Sequence, residues 1–136
     1  MTTARSVIVV DDDIDHALIV RLVLSRVVPD ASIDVMTDPR ALAQRLVEAP
    51  RDALVLMDRQ LDGRDGIDLL PLLRAERPDL RTVLLSAALP EADRLRALAA
   101  GAYAATEKPG SLAGWQRLVE SMVGADAQES ARTHAA

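Results

Sequence analysis

Five times along the chain a short apolar run gives way to a helical pattern, and that alternation leaves few folds open. The runs cover residues 6–10, 32–36, 53–57, 81–86 and 102–106. The first, Ser6-Val7-Ile8-Val9-Val10, is almost wholly β-branched, as a strand covered on both faces should be. Ser32 and Asp34 interrupt the second, which places it nearer an edge. No repeat is superimposed on the alternation. The pattern therefore predicts an α/β fold, a parallel sheet with helices on both faces and right-handed connections. Every strand then ends at one common edge, and ligands bind in the crevice outside those ends.

Helical spacing predicts the connecting elements. The first helix runs over 14–28, with Ile14, Ala17, Leu18 and Leu22 on one stripe. The second opens at Pro39 behind an Asp38 cap and runs to Val47. A third follows an Asp65 cap, with Pro71 inside it predicting a kink or a late start. The fourth lies between Pro90 and Gly101; its only large apolar residues are Leu95 and Leu98, so it is expected to be the least firmly held. The last starts at a Ser111 cap, carries Leu112, Trp115, Leu118, Val119 and Met122 at helical spacing, and ends at Gly124. One domain over 1–124 is expected, followed by a polar, frayed tail over 125–136.

Composition removes several functions. Aromatic residues are 1% of the chain, Tyr103 and Trp115, which leaves little to stack on bases. A net charge of −5 is the wrong sign for a phosphate backbone, so nucleic acid is not expected as a partner. The absence of Cys excludes disulfides, thiolate catalysis and Cys-liganded zinc. The apolar stretch 7–10 is too short for a signal peptide or a membrane span, so a cytoplasmic protein without membrane attachment is expected. Of sixteen Lys and Arg residues only Lys108 is Lys, which invites a specific role for it.

The residues following the strands carry the chemistry. Strand one delivers Asp11, Asp12 and Asp13; strand three Asp58; strand four Ser86; strand five Glu107 and Lys108. Carboxylates gathered on adjacent strand ends repel one another unless a cation sits among them. All are oxygen donors, and the two histidines, His16 and His134, are poorly placed. Mg2+ suits such a set, since it takes a few carboxylates and keeps several waters. A hydroxyl and an ammonium beside it make an anion site fit for phosphoryl oxygens. Local readings compete: Asp13 is better explained as a helix cap, Asp11 and Asp12 taken alone could be caps too, and Asp62 and Asp65 read as turn and cap residues.

Taken together, Val-Val-Asp-Asp-Asp at 9–13, Leu-Met-Asp at 56–58 with Asp-Gly-Arg-Asp-Gly at 62–66, Leu-Leu-Ser-Ala at 84–87, Gly-Ala at 101–102 and Lys-Pro at 108–109 resemble the response-regulator receiver domain of bacterial two-component systems. The resemblance covers roughly residues 6–123 in order and spacing. It implies a flavodoxin-like, doubly wound five-stranded parallel sheet of order 2-1-3-4-5. It also implies roles. Asp58 would accept a phosphoryl group from a phosphohistidine of a sensor histidine kinase or a histidine phosphotransfer protein. Asp11, Asp12, Asp58 and the backbone carbonyl of Gln60 would hold Mg2+; Ser86 and Lys108 would each meet a phosphoryl oxygen. Lys suits a crowded site because its charge is compact.

Three positions depart from the family. Ala105 stands where an aromatic switch residue is usual, Gly110 replaces the aromatic after Lys-Pro, and Asp62 replaces a Pro after the acceptor. Tyr103, on the same face by the period of two and about 6.6 Å back along a strand, is the one nearby aromatic. The phosphorylation site is thus expected intact and the output altered. With no effector domain after the last helix, output is expected through protein contacts or phosphorelay, on the face of helix four, strand five and helix five toward an unknown downstream protein. A homodimer is among the assemblies such a face allows. No turnover of a separate substrate is expected. The alternative is a phosphorylation-independent docking module; a Mg2+-dependent phosphohydrolase is opposed by Gln60, where a second acid would be needed, and by the short chain.

Overall fold

The computed structural model describes residues 6–122. Five strands, β1 (Ser6–Val10), β2 (Ser32–Met36), β3 (Leu54–Asp58), β4 (Arg81–Ser86) and β5 (Ala104–Glu107), form one parallel sheet in the order β2-β1-β3-β4-β5. The helices are α1 (Ile14–Val27), α2 (Leu42–Glu48), α3 (Gly66–Glu76), α4 (Glu91–Ala100) and α5, helical over 112–122. This is the flavodoxin-like order expected. The predicted helix end at Gly124 and the tail over 125–136 lie outside the described residues.

The period of two along each strand sorts the core into two layers. Ile8, Val10, Val55, Met57 and Leu84 face one way, into a cluster with Leu42 and Leu46 of α2, Ile67, Leu70 and Leu73 of α3, and Ala97 of α4. Val7, Val9, Leu56, Val83 and Leu85 face the other, against Ala17, Val20, Val23 and Leu24 of α1 and Trp115 and Val119 of α5. Both faces being covered explains why the central strands read as unbroken apolar runs.

Several local expectations are corrected. Of the predicted α1 stripe only Ala17 is buried; Ile14, Leu18 and Leu22 are about half exposed, and Val20, Val23 and Leu24 are buried in their place. The helix offers two overlapping apolar stripes, and the one with the smaller side chains lies on the sheet. Asp38 bonds the amide of Arg40, and the chain makes a 3-10 turn over Pro39–Ala41 before α2 begins. Pro71 delays nothing: α3 starts directly after the Asp65 cap and continues through it. Strand five begins two residues later than expected, so Tyr103 precedes β5 and is 41% exposed, with the Arg81 guanidinium 5.5 Å from its ring.

Helix α4 has the weak anchorage its sequence implies: Ala97 is its one fully buried residue, and Leu95 is half exposed. It ends at Gly101, whose φ of +117° lies in the left-handed region that favours glycine. Among the described residues, no helix is long and apolar enough to cross a membrane.

Candidate functional site

The sheet register brings the strand ends together. Val10 pairs with Met57, Met57 with Leu84 and Leu84 with Ala105, so the residues that follow them line one edge. Backbone bonds continue just past the strands: the Asp11 amide donates to Met36 O, that of Arg59 to Leu85 O and that of Lys108 to Ser86 O. Asp11, Asp58 and Ser86 are buried, while Asp12 is exposed.

Asp11, Asp12 and Asp58 each place a carboxylate oxygen within 4.8 Å of the others. An all-oxygen set with one exposed member suits a hard cation that keeps part of its water shell. These three of the four predicted ligands are therefore brought together. Neighbouring donors fix each carboxylate. Asp58 accepts from Lys108 Nζ at 3.0 Å on Oδ2 and from the Gln60 amide at 3.2 Å on Oδ1. Asp11 accepts from the Asp13 amide at 3.0 Å, and Asp12 from the Asp62 amide at 2.9 Å. Burial pushes the Asp58 carboxyl above its ordinary value; Lys108 pulls it down and the charge of Asp11 adds to the rise.

Ser86 lies where predicted, at the end of β4, but its hydroxyl donates to Ala88 O at 2.7 Å. Glu107, from β5, accepts from the Leu89 amide and so holds the loop between β4 and α4. Asp58, Ser86 and Lys108 line an open cleft of about 490 Å³ whose wall also includes Arg59, Arg64 and Asp65. Asp13 caps α1 through bonds to the amides of Asp15 and His16, and Asp65 caps α3 through that of Ile67.

The loop after Asp58 is more ordered than its composition implied. Gln60–Leu61 and Arg64–Asp65 pair antiparallel, joined by Asp62 at φ +49° and Gly63 at φ +80°. Two successive positive φ values make the two-residue hairpin turn that Asp-Gly favours. Gly66 then packs its backbone on that of Asp58 and Arg59: its amide bonds Arg59 O, and a Cβ there would stand 2.9 Å from the carbonyl oxygen of Asp58.

Two side chains at the site are not those the sequence marks. His16, contrary to its expected poor placement, has Nδ1 2.7 Å from Asp11 Oδ2 and its ring against Trp115. Its place in the first turn of α1, three residues after the Asp13 cap, was a partial signal; which side of α1 meets the sheet was not legible. Arg59 carries its guanidinium to Asp65 at 3.3 Å and to Asp93 of α4 at 2.9 Å. Nothing in the local sequence marks that second contact.

Comparison with known proteins agrees with this geometry. The Rhizobium meliloti (strain 1021) DNA-binding transcriptional regulator NtrC is 32% identical over 108 residues, which are 79% of this chain and 22% of that protein. The chain thus spans about a fifth of the length of that relative. A response regulator receiver domain protein (CheY-like) from Methanospirillum hungatei JF-1 superposes with a TM-score of 0.76 at 17% identity, covering 93% of this chain and 99% of that one. A response regulator receiver domain from Rhodospirillum rubrum gives 0.75 at 23% identity, covering 86% and 89%. The sequence profile of the response regulator receiver domain matches residues 7–120. With that match running from β1 into α5 and across every strand end described above, the chain belongs to the response regulator receiver domain family.

Proposed function

We propose that Asp58 accepts a phosphoryl group from a phosphohistidine on a sensor histidine kinase or a histidine phosphotransfer protein, in a Mg2+-dependent reaction. One observation carries the reading: Lys108, the sole Lys, holds its ammonium 3.0 Å from Asp58 within a cluster of three carboxylates. Asp11, Asp12, Asp58 and the Gln60 carbonyl would hold Mg2+, which when bound neutralises charge on the phosphoryl oxygens.

The protein's own residues perform the rest. Asp58 Oδ forms the new bond to phosphorus in line with the phosphorus–nitrogen bond that breaks, and the imidazole nitrogen leaves with that electron pair. Lys108 and the Gln60 amide orient the attacking carboxylate, so positioning supplies much of the catalysis. To reach a phosphoryl oxygen, the Ser86 hydroxyl must leave Ala88 O, a small rotation that ties acceptance to the loop before α4. Turnover is confined to the protein's own aspartate. Output to a protein partner runs through the α4, β5 and α5 face, where α4 is weakly anchored.

A docking module that never accepts phosphate is the second reading; the Ser86 bond to Ala88, which turns the hydroxyl to the backbone, favours it. Incubation with Mg2+ and acetyl phosphate separates the two. An acid-stable, base-labile adduct absent from Asp58→Asn is expected. No adduct on the wild type, or the same adduct on the variant, rejects phosphoacceptance.

A further inference from the structure

His16 stands between the acidic cluster and the second helical layer. Its imidazole is mostly buried, and Nδ1 lies 2.7 Å from Asp11 Oδ2. An ionised carboxylate only accepts, so Nδ1 is the donor. The other oxygen of Asp11 accepts from the Asp13 amide at 3.0 Å. One bond to each oxygen fixes the plane of a carboxylate that would otherwise turn about its last torsion. The backbone joins in: the His16 amide bonds the capping Asp13 at 3.3 Å. The imidazole also meets the ring of Trp115 edge-on, with centroids 5.2 Å apart and planes at 65°. Trp115 is buried in α5 and is the only Trp in the chain.

We propose that His16 is a positioning residue for the cation site: it holds Asp11 in the orientation that ligates Mg2+ and, through Trp115, ties the state of that site to α5. The inference rests on the reading of Asp11 as a Mg2+ ligand. Its physical basis is general. Partners that hydrogen-bond a ligating group from outside fix that group's geometry, and their loss typically costs about 10–100-fold in metal affinity. The link to α5 has a structural basis too. An imidazole bonded to a carboxylate and in edge contact with an indole shifts against the indole when the carboxylate moves it. In a chain where Ala105 occupies the usual switch position, this gives the acidic cluster a second path to the output face, on the opposite side of the sheet from α4.

The experiment titrates metal-free wild type, His16→Leu and His16→Asn with Mg2+, reading heat for affinity and Trp115 emission for coupling. His16→Leu removes the donor and is expected to weaken binding by about tenfold or more. His16→Asn puts an amide N–H near the place of Nδ1 and is expected to retain affinity within about threefold. Saturating Mg2+ is expected to change wild-type emission, and to change it less in both variants, since neither side chain presents a ring to the indole. Wild-type affinity in His16→Leu overturns the positioning role, as does His16→Asn binding no better than His16→Leu. Wild-type emission indifferent to Mg2+, or a full response in His16→Asn, overturns the coupling. If His16→Leu does not fold, His16→Asn decides alone: retained affinity with a diminished response supports the proposal. Absence of any Mg2+ binding by the wild type is a different result, which removes the ligand reading itself and the inference with it.

Discussion

Arg59 and Asp93 are 34 residues apart in sequence and 2.9 Å apart in space. Arg59 follows the candidate acceptor directly, and Asp93 sits in the first turn of α4, so the contact ties the acceptor loop to the helix with the thinnest apolar anchorage. Asp65 accepts from the same guanidinium, and Asp93 also accepts from Arg96 at 3.0 Å. The guanidinium holds the Asp93 carboxyl below its ordinary range. For Asp65, burial works upward, but the Ile67 amide and Arg59 outweigh it, so that carboxyl is held low as well.

Arg59→Ala is therefore expected to loosen α4 selectively. Amide hydrogen exchange should accelerate across residues 91–100, with protection in β1 and β3 nearly unchanged, because local opening is set by local anchorage. Equal acceleration in the sheet would mean that the tie supports the whole fold.

Gly66→Ala sets two effects against each other. Alanine is the better helix former by about 1 kcal/mol. Yet the new Cβ would stand 2.9 Å from Asp58 O and 3.1 Å from both Arg59 Cα and Arg59 O, and these are backbone atoms that cannot swing aside. Overpacking of this kind costs about 1–3 kcal/mol, so a net loss of stability is expected in urea titration. A gain would show that the hairpin yields easily.

Asp62→Pro restores the residue usual in the family and is expected to harm this protein. Proline holds φ near −65°, whereas residue 62 has φ +49°, and the substitution also deletes the amide that bonds Asp12. A loss of more than about 1 kcal/mol is expected, with weaker Mg2+ binding in calorimetry. An unchanged urea midpoint would mean that the loop is free to adopt the turn its relatives use.

The pH dependence of stability follows from Asp58. Its folded-state carboxyl titrates above the ordinary 3.8, mainly through burial. Between those two values the folded state binds more protons than the unfolded one, so this group makes stability fall as pH rises through the window. Above the window the penalty persists. In metal-free protein Asp58→Asn is accordingly expected to be more stable than wild type at pH 7, with the difference shrinking as pH approaches 3.8. Mg2+ at about 100 times its Kd should return about 2.7 kcal/mol to the wild type and much less to the variant. Urea titrations at several pH values, with chelator and with Mg2+, measure both.

By itself the sequence determined what depends on neighbours along the chain. The first four strand runs, the caps at Asp13, Asp65 and Ser111, the stop at Gly101 and the delivery of Asp11, Asp58, Ser86 and Lys108 to strand ends are local and are found in place, within a residue at the strand ends. The parallel topology follows, since alternating strands and helices have few ways to pack. Tertiary structure alone decided what depends on rotation and on distant partners. Which stripe of α1 meets the sheet turned on how its residues fill the space, so Ile14, Leu18 and Leu22 stayed outside and His16 came in against Asp11. The meeting of Arg59 with Asp93 depends on where α4 packs, 34 residues further along the chain. Periodicity says that a helix has an apolar side; only packing selects which of two overlapping sides, and with it whether His16 faces the site.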